Sequence, residues 1–389
     1  MRVDAYVVDA VRTVFGKNRG GLAGVRPDDL AAIPIRELVA RTGIDPAAIG
    51  DVILGNSNGA GEENRNLGRM AALLAGLPVT VPGLTVNRLC GSGSEALVSA
   101  AREVASGDAR YVVAGGAESM SRAPFVLQRP GEPYASSMTL HQTVVGWRMT
   151  NPAFPTHWTD SLGACAERTA LREGVSRADQ DAWALRSHVL AGEAWDAGLH
   201  DEWVLPVEAV ERDESIRPDT SLEKLAALRP AFTADGVVTA GNSSPINDGA
   251  LAALVTNADG LAELGLQPLG RIVATATVAV EPDDFAMAPV PAIREATRKA
   301  GVSLGDLKVV ELQEAFAAVV LSCLAHLPEI DRDAVNPHGG AIAIGHPLGA
   351  SGARLAVDLC RELRRRGGGI GALAVCIGVG LGQAIVVEV

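Results

Sequence analysis

The residues Arg41-Thr-Gly-Ile-Asp-Pro-Ala-Ala-Ile-Gly-Asp51 end a helical stretch and lead into the apolar strand Val52-Ile53-Leu54. The same kind of junction returns at Lys299-Ala-Gly-Val-Ser-Leu-Gly-Asp-Leu-Lys308, directly before a second apolar strand. Aligning Gly301 with Gly43 gives an offset of 258 residues (301 − 43). A junction of this composition that occurs twice indicates an internal duplication of one α/β unit.

A second pair of segments has almost the same offset. Each is a Gly/Ser turn that opens a long helix followed by a strand, and aligning Gly352 with Gly93 gives 259 residues (352 − 93). Two independent junctions that share one offset are hard to obtain by chance. We therefore predict an α/β protein of two duplicated βαβαβ-type halves, with mostly parallel sheets because helices alternate with strands.

The predicted strands divide the chain into two halves and an insert. They span residues 6–10, 51–54, 84–89 and 111–115 in the first half, and 271–278, 308–312, 372–376 and 382–389 in the second. The first half is predicted to occupy residues 1–119, completed by about 246–268, and the second half residues 269–389. The insert, residues 120–245, collects Trp, Pro, His and charged residues, which is typical of a lid over a ligand; a surface excursion is the alternative.

Charge and composition limit the classes of function. The chain has 389 residues and a formal net charge of −12, and an acidic chain is a poor nucleic-acid binder because phosphates need a basic surface. No apolar run approaches the ~20 residues of a membrane span, and the charged start lacks the apolar core of a signal peptide. We therefore expect a cytoplasmic protein that does not contact a membrane. The 5 cysteines are widely spread and lack a C-x-x-C pair, which favours reduced thiols over disulfides or a metal site.

Cys90 is the first candidate for chemistry. It follows the predicted buried strand 84–89 and precedes a predicted helix over 95–106, so its thiol lies at the positive end of a helix dipole, which favours the thiolate. The flanking glycines let a substrate carbonyl approach, and the backbone N–H of Cys90 could donate to an oxyanion. A nucleophile is one interpretation, and a small buried core cysteine is the other.

The same turn also matches a dinucleotide-binding loop. Gly91-Ser-Gly-Ser-Glu-Ala96 fits the G-x-G-x-x-A pattern after a strand, and Glu118 could supply the acidic residue that binds a ribose. Such a loop normally opens a fold, whereas two helix–strand segments precede this one. The dinucleotide interpretation is therefore the weaker alternative.

A second constellation lies in the other half. The glycine-rich stretch from Val335 to Gly352 contains His338 and His346, and it occupies the place that the Cys90 turn holds in the first half. Pseudo-symmetric packing of the halves would bring His346 and Cys90 into one cleft, and Cys376 ends the next strand at the same edge. A Cys–His–Cys group suits acyl transfer at a thioester without a cofactor. Taken singly, His346 could be a structural loop histidine and Cys376 a core thiol.

At these residues the sequence resembles the thiolase family over essentially the whole chain. The matching pieces are Asn87-Arg-Leu-Cys-Gly-Ser-Gly93, Ala114-Gly-Gly-Ala-Glu-Ser-Met-Ser121, Leu228-Arg-Pro-Ala-Phe232, Thr239-Ala-Gly-Asn-Ser-Ser244, Ile246-Asn-Asp-Gly-Ala250, Glu314-Ala-Phe-Ala317, Asn336-Pro-His-Gly-Gly-Ala-Ile-Ala-Ile-Gly-His-Pro347 and Cys376-Ile-Gly378. The resemblance implies a layered αβαβα core with an inserted loop domain over coenzyme A. It also implies reversible thiolysis of 3-oxoacyl-CoA by CoA, with CoA as substrate, no permanently bound cofactor, and a homodimer or homotetramer.

The resemblance further implies roles for individual residues. Cys90 would carry the acyl group, His346 would activate it, and Cys376 would be the general acid and base at the alpha carbon. One oxyanion hole would consist of the backbone N–H groups of Cys90 and Gly378, and another of His346 with a water held at the position of Gln313. The residues implied to contact coenzyme A are Arg217, Ser244 and Phe316.

The chain departs from the family pattern at several positions. Gln313 replaces the usual Asn, and the other departures are His338, Val379, Leu381 and Phe285, the last at a position expected in the substrate pocket. The segment 139–152 is similar to the lid of thiolases that act on 3-oxoadipyl-CoA, which indicates a substrate longer than acetoacetyl-CoA. The alternatives are a ketoacyl synthase, which uses Cys–His–His, and a thiolase-like protein that binds acyl-CoA or lipid without turnover.

Overall fold

Strands and helices alternate along residues 4–389, the part of the chain that the computed structural model describes. The strands are β1 (Ala5–Thr13), β2 (Gly16–Lys17), β3 (Ile49–Gly55), β4 (Leu84–Val86), β5 (Tyr111–Ser119), β6 (Phe125–Leu127), β7 (Leu140–Gln142), β8 (Val204–Leu205), β9 (Asn247–Thr256), β10 (Gly270–Ala279), β11 (Val309–Leu312), β12 (Ile370–Ile377) and β13 (Leu381–Glu388). The α-helices are α1 (Pro27–Thr42), α2 (Leu67–Leu74), α3 (Ser92–Ser106), α4 (Leu162–Glu173), α5 (Arg177–Asp196), α6 (Leu222–Ala226), α7 (Ala258–Leu264), α8 (Pro289–Ala300), α9 (Ala317–Ala325), α10 (Ala341–Ile344) and α11 (Leu348–Arg365).

One large mixed sheet shows the duplication directly. Its main path runs in the order β11-β12-β13-β10-β1-β9-β5-β3-β4. Read from the centre outward, β1, β9, β5 and β3 of the first half correspond to β10, β13, β12 and β11 of the second. The halves meet where β1 and β10 pair antiparallel, with Val7 opposite Gly270. The predicted duplication is confirmed.

The prediction of mostly parallel sheets is wrong. Within the main path, β3 pairs in parallel with β4 and β5, and β11 with β12, but the other neighbours are antiparallel. Residues 378–380 alone connect β12 to β13, and a turn this short reverses the chain, so these two strands must run antiparallel. β9 likewise enters the sheet antiparallel to both β1 and β5.

Two helices lie between the halves. α3 packs on β3, β5 and β9, and α11 packs on β5 and β9 as well as on β11, β12 and β13. β5 and β9 are buried along their whole lengths, because α1 also packs on them and covers the other face. α8 packs on β10, β12 and β13 of the second half. The layers are thus helix, the part of the sheet from the first half, the paired helices α3 and α11, the part of the sheet from the second half, and helix.

The two glycines that define the second offset bring α3 and α11 together. A Cβ atom on Gly93 would lie 2.6 Å from the carbonyl oxygen of Gly349, and one on Gly352 would lie 2.6 Å from the backbone nitrogen of Ser94. Only glycine permits so close an approach of two helix backbones. This contact places the amino-terminal ends of α3 and α11 side by side at the interface of the halves.

The insert is part of the core rather than a surface excursion. Trp183 of α5 is 1% exposed and packs in the same apolar cluster as α8 and α9. β8 extends the sheet by pairing in parallel with β1, and the buried Arg12 forms an ion pair with Asp213 at 2.8 Å. Within residues 4–389, no helix combines the length and apolar character that crossing a bilayer requires.

Candidate active site

A cavity of about 1200 Å³ lies where the two halves and the insert meet. Six of the eight predicted site residues line it: Cys90, His346, Gly378, Arg217, Ser244 and Phe316. The other two, Cys376 and Gln313, are each 1% exposed and lie behind the wall that Ala315, Phe316 and Gly378 form. The fold therefore brings the predicted residues of both halves to one place.

Cys90 lies in a turn at the edge of the sheet. The predicted buried strand 84–89 is wrong: β4 has three residues, is the last strand on its side of the sheet, and leaves Leu84 37% exposed. A 3-10 turn, Leu89–Gly91, then joins it to α3, which begins at Ser92 rather than at the predicted Glu95. Cys90 thus precedes the helix directly.

The backbone before Cys90 is held in an unusual conformation. Leu89 has φ 49°, a left-handed value that non-glycine residues seldom adopt. The Ser92 hydroxyl donates to the Leu89 carbonyl at 2.7 Å and accepts from the Arg88 N–H at 2.9 Å. These two hydrogen bonds hold the turn in this conformation. Such conformations persist where the surroundings fix them, as at many functional sites.

The thiol of Cys90 is protonated in the free protein. Burial is the largest influence and raises its pKa to about 11, although the backbone N–H groups of Gly378 and of Cys90 itself point at the sulfur and lower it. The expectation that the helix start favours the thiolate is therefore wrong for the free protein, because loss of hydration outweighs the donors. A protonated thiol is a weak nucleophile, so nucleophilic chemistry at Cys90 would require a base.

His346 lines the same cavity as Cys90 and presents a neutral imidazole. Its Nδ1 lies 2.6 Å from the Ser351 hydroxyl, and that hydroxyl donates to the Pro347 carbonyl at 2.8 Å, so Nδ1 must carry the ring proton. Nε2 has no hydrogen-bond partner among residues 4–389 and is left as a proton acceptor. Burial, reinforced by Arg354, lowers the pKa of His346 to about 3, so the imidazole is neutral at pH 7.

Residues of the first half hold the loop that carries His346. The Asn247 carboxamide accepts from the His346 N–H at 3.0 Å, and Glu118 accepts from the Gly349 N–H at 2.9 Å at the start of α11. Sequence reasoning missed both positioning roles, although both residues lie in motifs of the thiolase resemblance. Glu118 also accepts from Asn56, Ser57 and Asn58, so its oxygens are occupied and it is not placed to bind a ribose.

Cys376 lies close to Cys90 at the end of β12. Burial raises the pKa of the Cys376 thiol well above its usual value, and the charge that Cys90 can carry raises it further. The backbone N–H groups of Cys376 and Ala315 point at this sulfur, which is 4.0 Å from the Gln313 carbonyl oxygen. The two thiols therefore lie together at the interface of the halves, and His346 lines the same cavity as Cys90.

The side chain of Gln313 has unused hydrogen-bonding capacity. Both Nε2 and Oε1 are buried without a partner among residues 4–389. An unsatisfied buried polar group costs about 1–3 kcal/mol, so such groups usually bind a water or a ligand. The backbone is fixed, because the Gln313 N–H donates to the Ala374 carbonyl at 3.0 Å. The backbone of Gln313 is thus held beside Cys376, and its side chain keeps both polar atoms free.

The residues implied to contact coenzyme A lie on the insert side of the cavity. Arg217 is exposed and forms no salt bridge within residues 4–389, although Asp219 lies near enough to interact with its charge. The Arg217 backbone N–H donates to His188 Nδ1 at 3.2 Å. Ser244 donates its N–H to the Ala315 carbonyl at 2.9 Å. Phe285 is not in the cavity wall, contrary to expectation, because it packs behind Phe316 with ring centroids 6.4 Å apart.

Three further residues differ from the thiolase family pattern: Val379 and Leu381 lie near Gly378, and His338 lies elsewhere. Val379 has φ 58° in the turn between β12 and β13, a left-handed conformation that is strained for a β-branched residue and natural for the glycine usual there. Leu381 begins β13. His338 is outside the cavity and lies 2.7 Å from Glu362.

The rate at which iodoacetamide alkylates Cys90 is expected to rise about tenfold per unit between about pH 7 and pH 9. With a pKa of about 11, only about one thiol in ten thousand is ionised at pH 7. Burial raises the thiol pKa and lowers the imidazole pKa, so the uncharged pair prevails between these values. Timed alkylation followed by mass spectrometry of the Cys90 peptide measures the rate. A rate independent of pH in this range would show a thiolate–imidazolium pair and contradict this description.

Among residues 4–389, no group of three or more His, Cys, Asp or Glu side chains is arranged to hold a metal ion. All five cysteines are free and buried.

Comparisons with known proteins agree with this geometry. The family model "Thiolase, N-terminal domain" matches residues 5–259, and "Thiolase, C-terminal domain" matches residues 266–389. A beta-ketoadipyl-CoA thiolase of Escherichia coli is 48% identical, and a 3-oxoadipyl-CoA/3-oxo-5,6-dehydrosuberyl-CoA thiolase of Escherichia coli K12 is 47% identical, each over 99% of both chains. The structure of human mitochondrial 3-ketoacyl-CoA thiolase in complex with CoA has a TM-score of 0.93 and 36% identity, covering 100% of this chain and 99% of that one.

Proposed function

The chain belongs to the thiolase family, and we propose that Cys90, His346 and Cys376 carry out its reaction, the reversible thiolysis of 3-oxoacyl-CoA by CoA. One observation carries the proposal. The sulfur of Cys90 faces two backbone N–H donors in the same cavity as an imidazole whose Nε2 is a free acceptor. The comparisons favour neither a ketoacyl synthase nor a protein without turnover.

In the first half-reaction His346 Nε2 takes the proton of Cys90, and the sulfur attacks the C3 carbonyl of the substrate. We assign the stabilisation of the negative charge on the C3 oxygen to the N–H groups of Cys90 and Gly378, which face the Cys90 sulfur. The C2–C3 bond then breaks, and its electron pair forms the enolate of acetyl-CoA. Cys376 gives its proton to C2, which releases acetyl-CoA and leaves an acyl group on Cys90.

In the second half-reaction the Cys376 thiolate takes the proton of the incoming CoA thiol. The CoA sulfur attacks the acyl carbonyl, and Cys90 leaves and recovers its proton from His346. During the first half-reaction, protonated His346 donates a hydrogen bond from Nε2 to the enolate oxygen until Cys376 protonates C2. The free amide of Gln313 supports a second oxyanion hole here, in which the amide holds a water beside His346.

The insert contributes the coenzyme A side of the site. We propose that residues 120–245 cover coenzyme A, and that Arg217 meets one of its phosphates while Ser244 and Phe316 contact the rest of the molecule. The insert lines the cavity with segments around 143–149, 161–163 and 214–220. An exposed arginine that forms no salt bridge within residues 4–389 offers local positive charge in a chain of net charge −12.

A dicarboxylic substrate such as 3-oxoadipyl-CoA is the finer proposal. The curated relatives at 48% and 47% identity carry this substrate in their names. The segment 139–152, which resembles the lid of such enzymes, reaches the cavity with residues 143–149. Cleavage of 3-oxoadipyl-CoA by the steps above would give acetyl-CoA and succinyl-CoA.

A panel of 3-oxoacyl-CoA esters tests the function. With free CoA present, the purified protein is expected to cleave 3-oxoadipyl-CoA with a kcat/KM at least about tenfold above that for acetoacetyl-CoA. The loss of enolate absorbance and the appearance of acetyl-CoA measure the reaction. Cleavage of none of the esters would contradict the thiolase assignment, and a preference for acetoacetyl-CoA would contradict the dicarboxylic substrate alone.

We further propose a homo-oligomer, a dimer or a tetramer, without a permanently bound cofactor. The hairpin of β6 and β7 leaves Phe125 67%, Leu127 53% and Leu140 60% exposed, and an exposed apolar group of this kind is typical of an interface. A cytoplasmic location is proposed from the five free thiols. The proposed ligands remain acyl-CoA and CoA, with no nucleic acid and no membrane.

A further inference from the structure

Three basic side chains line the cavity without an ion pair to an acid among residues 4–389: Lys17, Arg148 and Arg217. Lys17 and Arg217 are exposed, whereas Arg148 is half-buried. Arg148 is also the one of the three whose charged group is held by a side chain of the described protein, since Nη2 donates to the Asn58 carboxamide at 3.1 Å. It is therefore the fixed cation of the cavity wall.

Asn58 ties Arg148 to the turn that carries Cys90. The Asn58 amide also donates to Thr143, which fixes its orientation. The neighbouring Ser57 carbonyl accepts from the Asn87 side chain at 2.9 Å, and Asn87 in turn accepts from the Leu89 N–H at 2.9 Å. A short series of hydrogen bonds thus connects the guanidinium to the residue before the nucleophile.

Trp147 places this segment on the acyl side of the cavity. A Cβ atom on Gly378 would lie 3.2 Å from the Trp147 ring, so the ring covers the residue whose N–H faces the Cys90 sulfur. The indole N–H donates to the Asp160 carbonyl at 3.2 Å, which fixes the ring. Arg217, by contrast, lies at His188, on the side assigned to coenzyme A.

Glu118, the acid that accepts from the Asn58 N–H, does not form an ion pair with Arg148. Glu118 lines the cavity as well, but its oxygens accept from Asn56, Ser57, Asn58 and Gly349. Burial raises the pKa of Glu118 to about 7, which also weakens its repulsion of an anionic substrate. An arginine has five N–H donors in a planar fork that matches a carboxylate, and Asn58 uses one nitrogen of this fork.

We propose that Arg148 binds the distal carboxylate of a dicarboxylic 3-oxoacyl-CoA and so determines the substrate specificity of this thiolase. The inference rests on the proposed function and identifies the residue that recognises the distal end of the acyl chain. The carboxylate is close to the reacting carbonyl in a six-carbon chain, so the cation must lie beside Cys90 rather than at the mouth of the cavity. Arg148 meets this requirement through Asn58 and Trp147.

The test compares two esters of equal carbon number, 3-oxoadipyl-CoA and 3-oxohexanoyl-CoA, which differ in the terminal carboxylate. Arg148→Met is expected to lower kcat/KM for 3-oxoadipyl-CoA about 100-fold and to change that for 3-oxohexanoyl-CoA less than about threefold. Arg148→Lys keeps the charge but loses the fork, and an intermediate loss of about tenfold is expected. Retained cleavage of 3-oxohexanoyl-CoA shows that each variant is folded.

Two other basic residues serve as controls. Arg129→Met removes an exposed charge from the same insert outside the cavity, and Lys17→Met removes a second cation from the cavity wall. Both are expected to leave the ratio of the two kcat/KM values unchanged. The inference is overturned if Arg148→Met leaves the ratio of the two kcat/KM values unchanged, whether both values fall equally or neither falls. It is also overturned if Lys17→Met selectively lowers kcat/KM for 3-oxoadipyl-CoA. If the unaltered protein cleaves neither ester, the proposed function fails as well; if it prefers 3-oxoadipyl-CoA while Arg148→Met changes nothing, this inference fails alone.

Discussion

Cys90→Ala is expected to lower kcat for thiolysis by about 10⁴-fold or more, because the variant has no atom that can carry the acyl group. The substitution removes one sulfur from a cavity wall and leaves the turn of Leu89 and Ser92 in place, so the fold should be retained. Steady-state cleavage of 3-oxoadipyl-CoA, with the far-ultraviolet circular dichroism spectrum as a check of folding, measures the effect.

Cys165→Ala is the matched control for this variant. Cys165 is also a buried free thiol, 2% exposed, but it lies in α4 and does not line the cavity. Its replacement is expected to change kcat by less than about threefold. Turnover by Cys90→Ala within tenfold of the unaltered protein would show that another group forms the covalent intermediate or that none is formed.

Cys376→Ala is expected to slow proton transfer at C2 much more than acylation of Cys90. Proton exchange at C2 of acetyl-CoA should slow by about 10³-fold, because Cys376 is the proposed proton donor and acceptor at this carbon, whereas acylation of Cys90 should slow by about tenfold or less. Deuterium uptake at C2 measures enolate formation, and the rate of acyl-enzyme accumulation measures acylation.

Cys376→Ser provides the comparison for that prediction. A serine keeps a hydroxyl near the N–H groups of Ala315 and Cys376 but is a much weaker acid and base at carbon. It should therefore resemble the alanine variant in proton exchange. Equal losses in both half-reactions would mean that Cys376 supports the position of Cys90 and does not transfer the proton.

The duplication could be predicted because it depends on local backbone requirements. Gly43 and Gly301 both end a helix in the left-handed conformation, with φ 64° and 76°. Glycine is strongly preferred at such positions, so the helix ends can be recognised in the sequence. Gly93 and Gly352 are fixed by the close approach of α3 and α11. Strand direction could not be predicted, because pairing partners such as β5 and β9 lie far apart in the chain and alternation with helices does not determine every neighbour.

The identity of the site residues could be predicted, but their electrostatics could not. The sequence places Cys90 before a helix, and the structure adds burial that reverses the expected ionisation of its thiol. Contacts between residues that are distant in the sequence could not be predicted either. No local sequence pattern indicates that Asn58 contacts Arg148 or that Phe285 packs behind Phe316. Motifs identify the reacting groups, whereas tertiary packing sets their charge and the shape of the pocket.

Mass spectrometry of the protein after mixing with 3-oxoadipyl-CoA, in the absence of free CoA and with rapid acid quenching, tests the central claim most directly. The expected result is one succinyl group per chain on the peptide that contains Cys90, formed together with acetyl-CoA and removed when CoA is added. A succinyl group on Cys376, or acetyl-CoA release with no acyl group on Cys90, would contradict it.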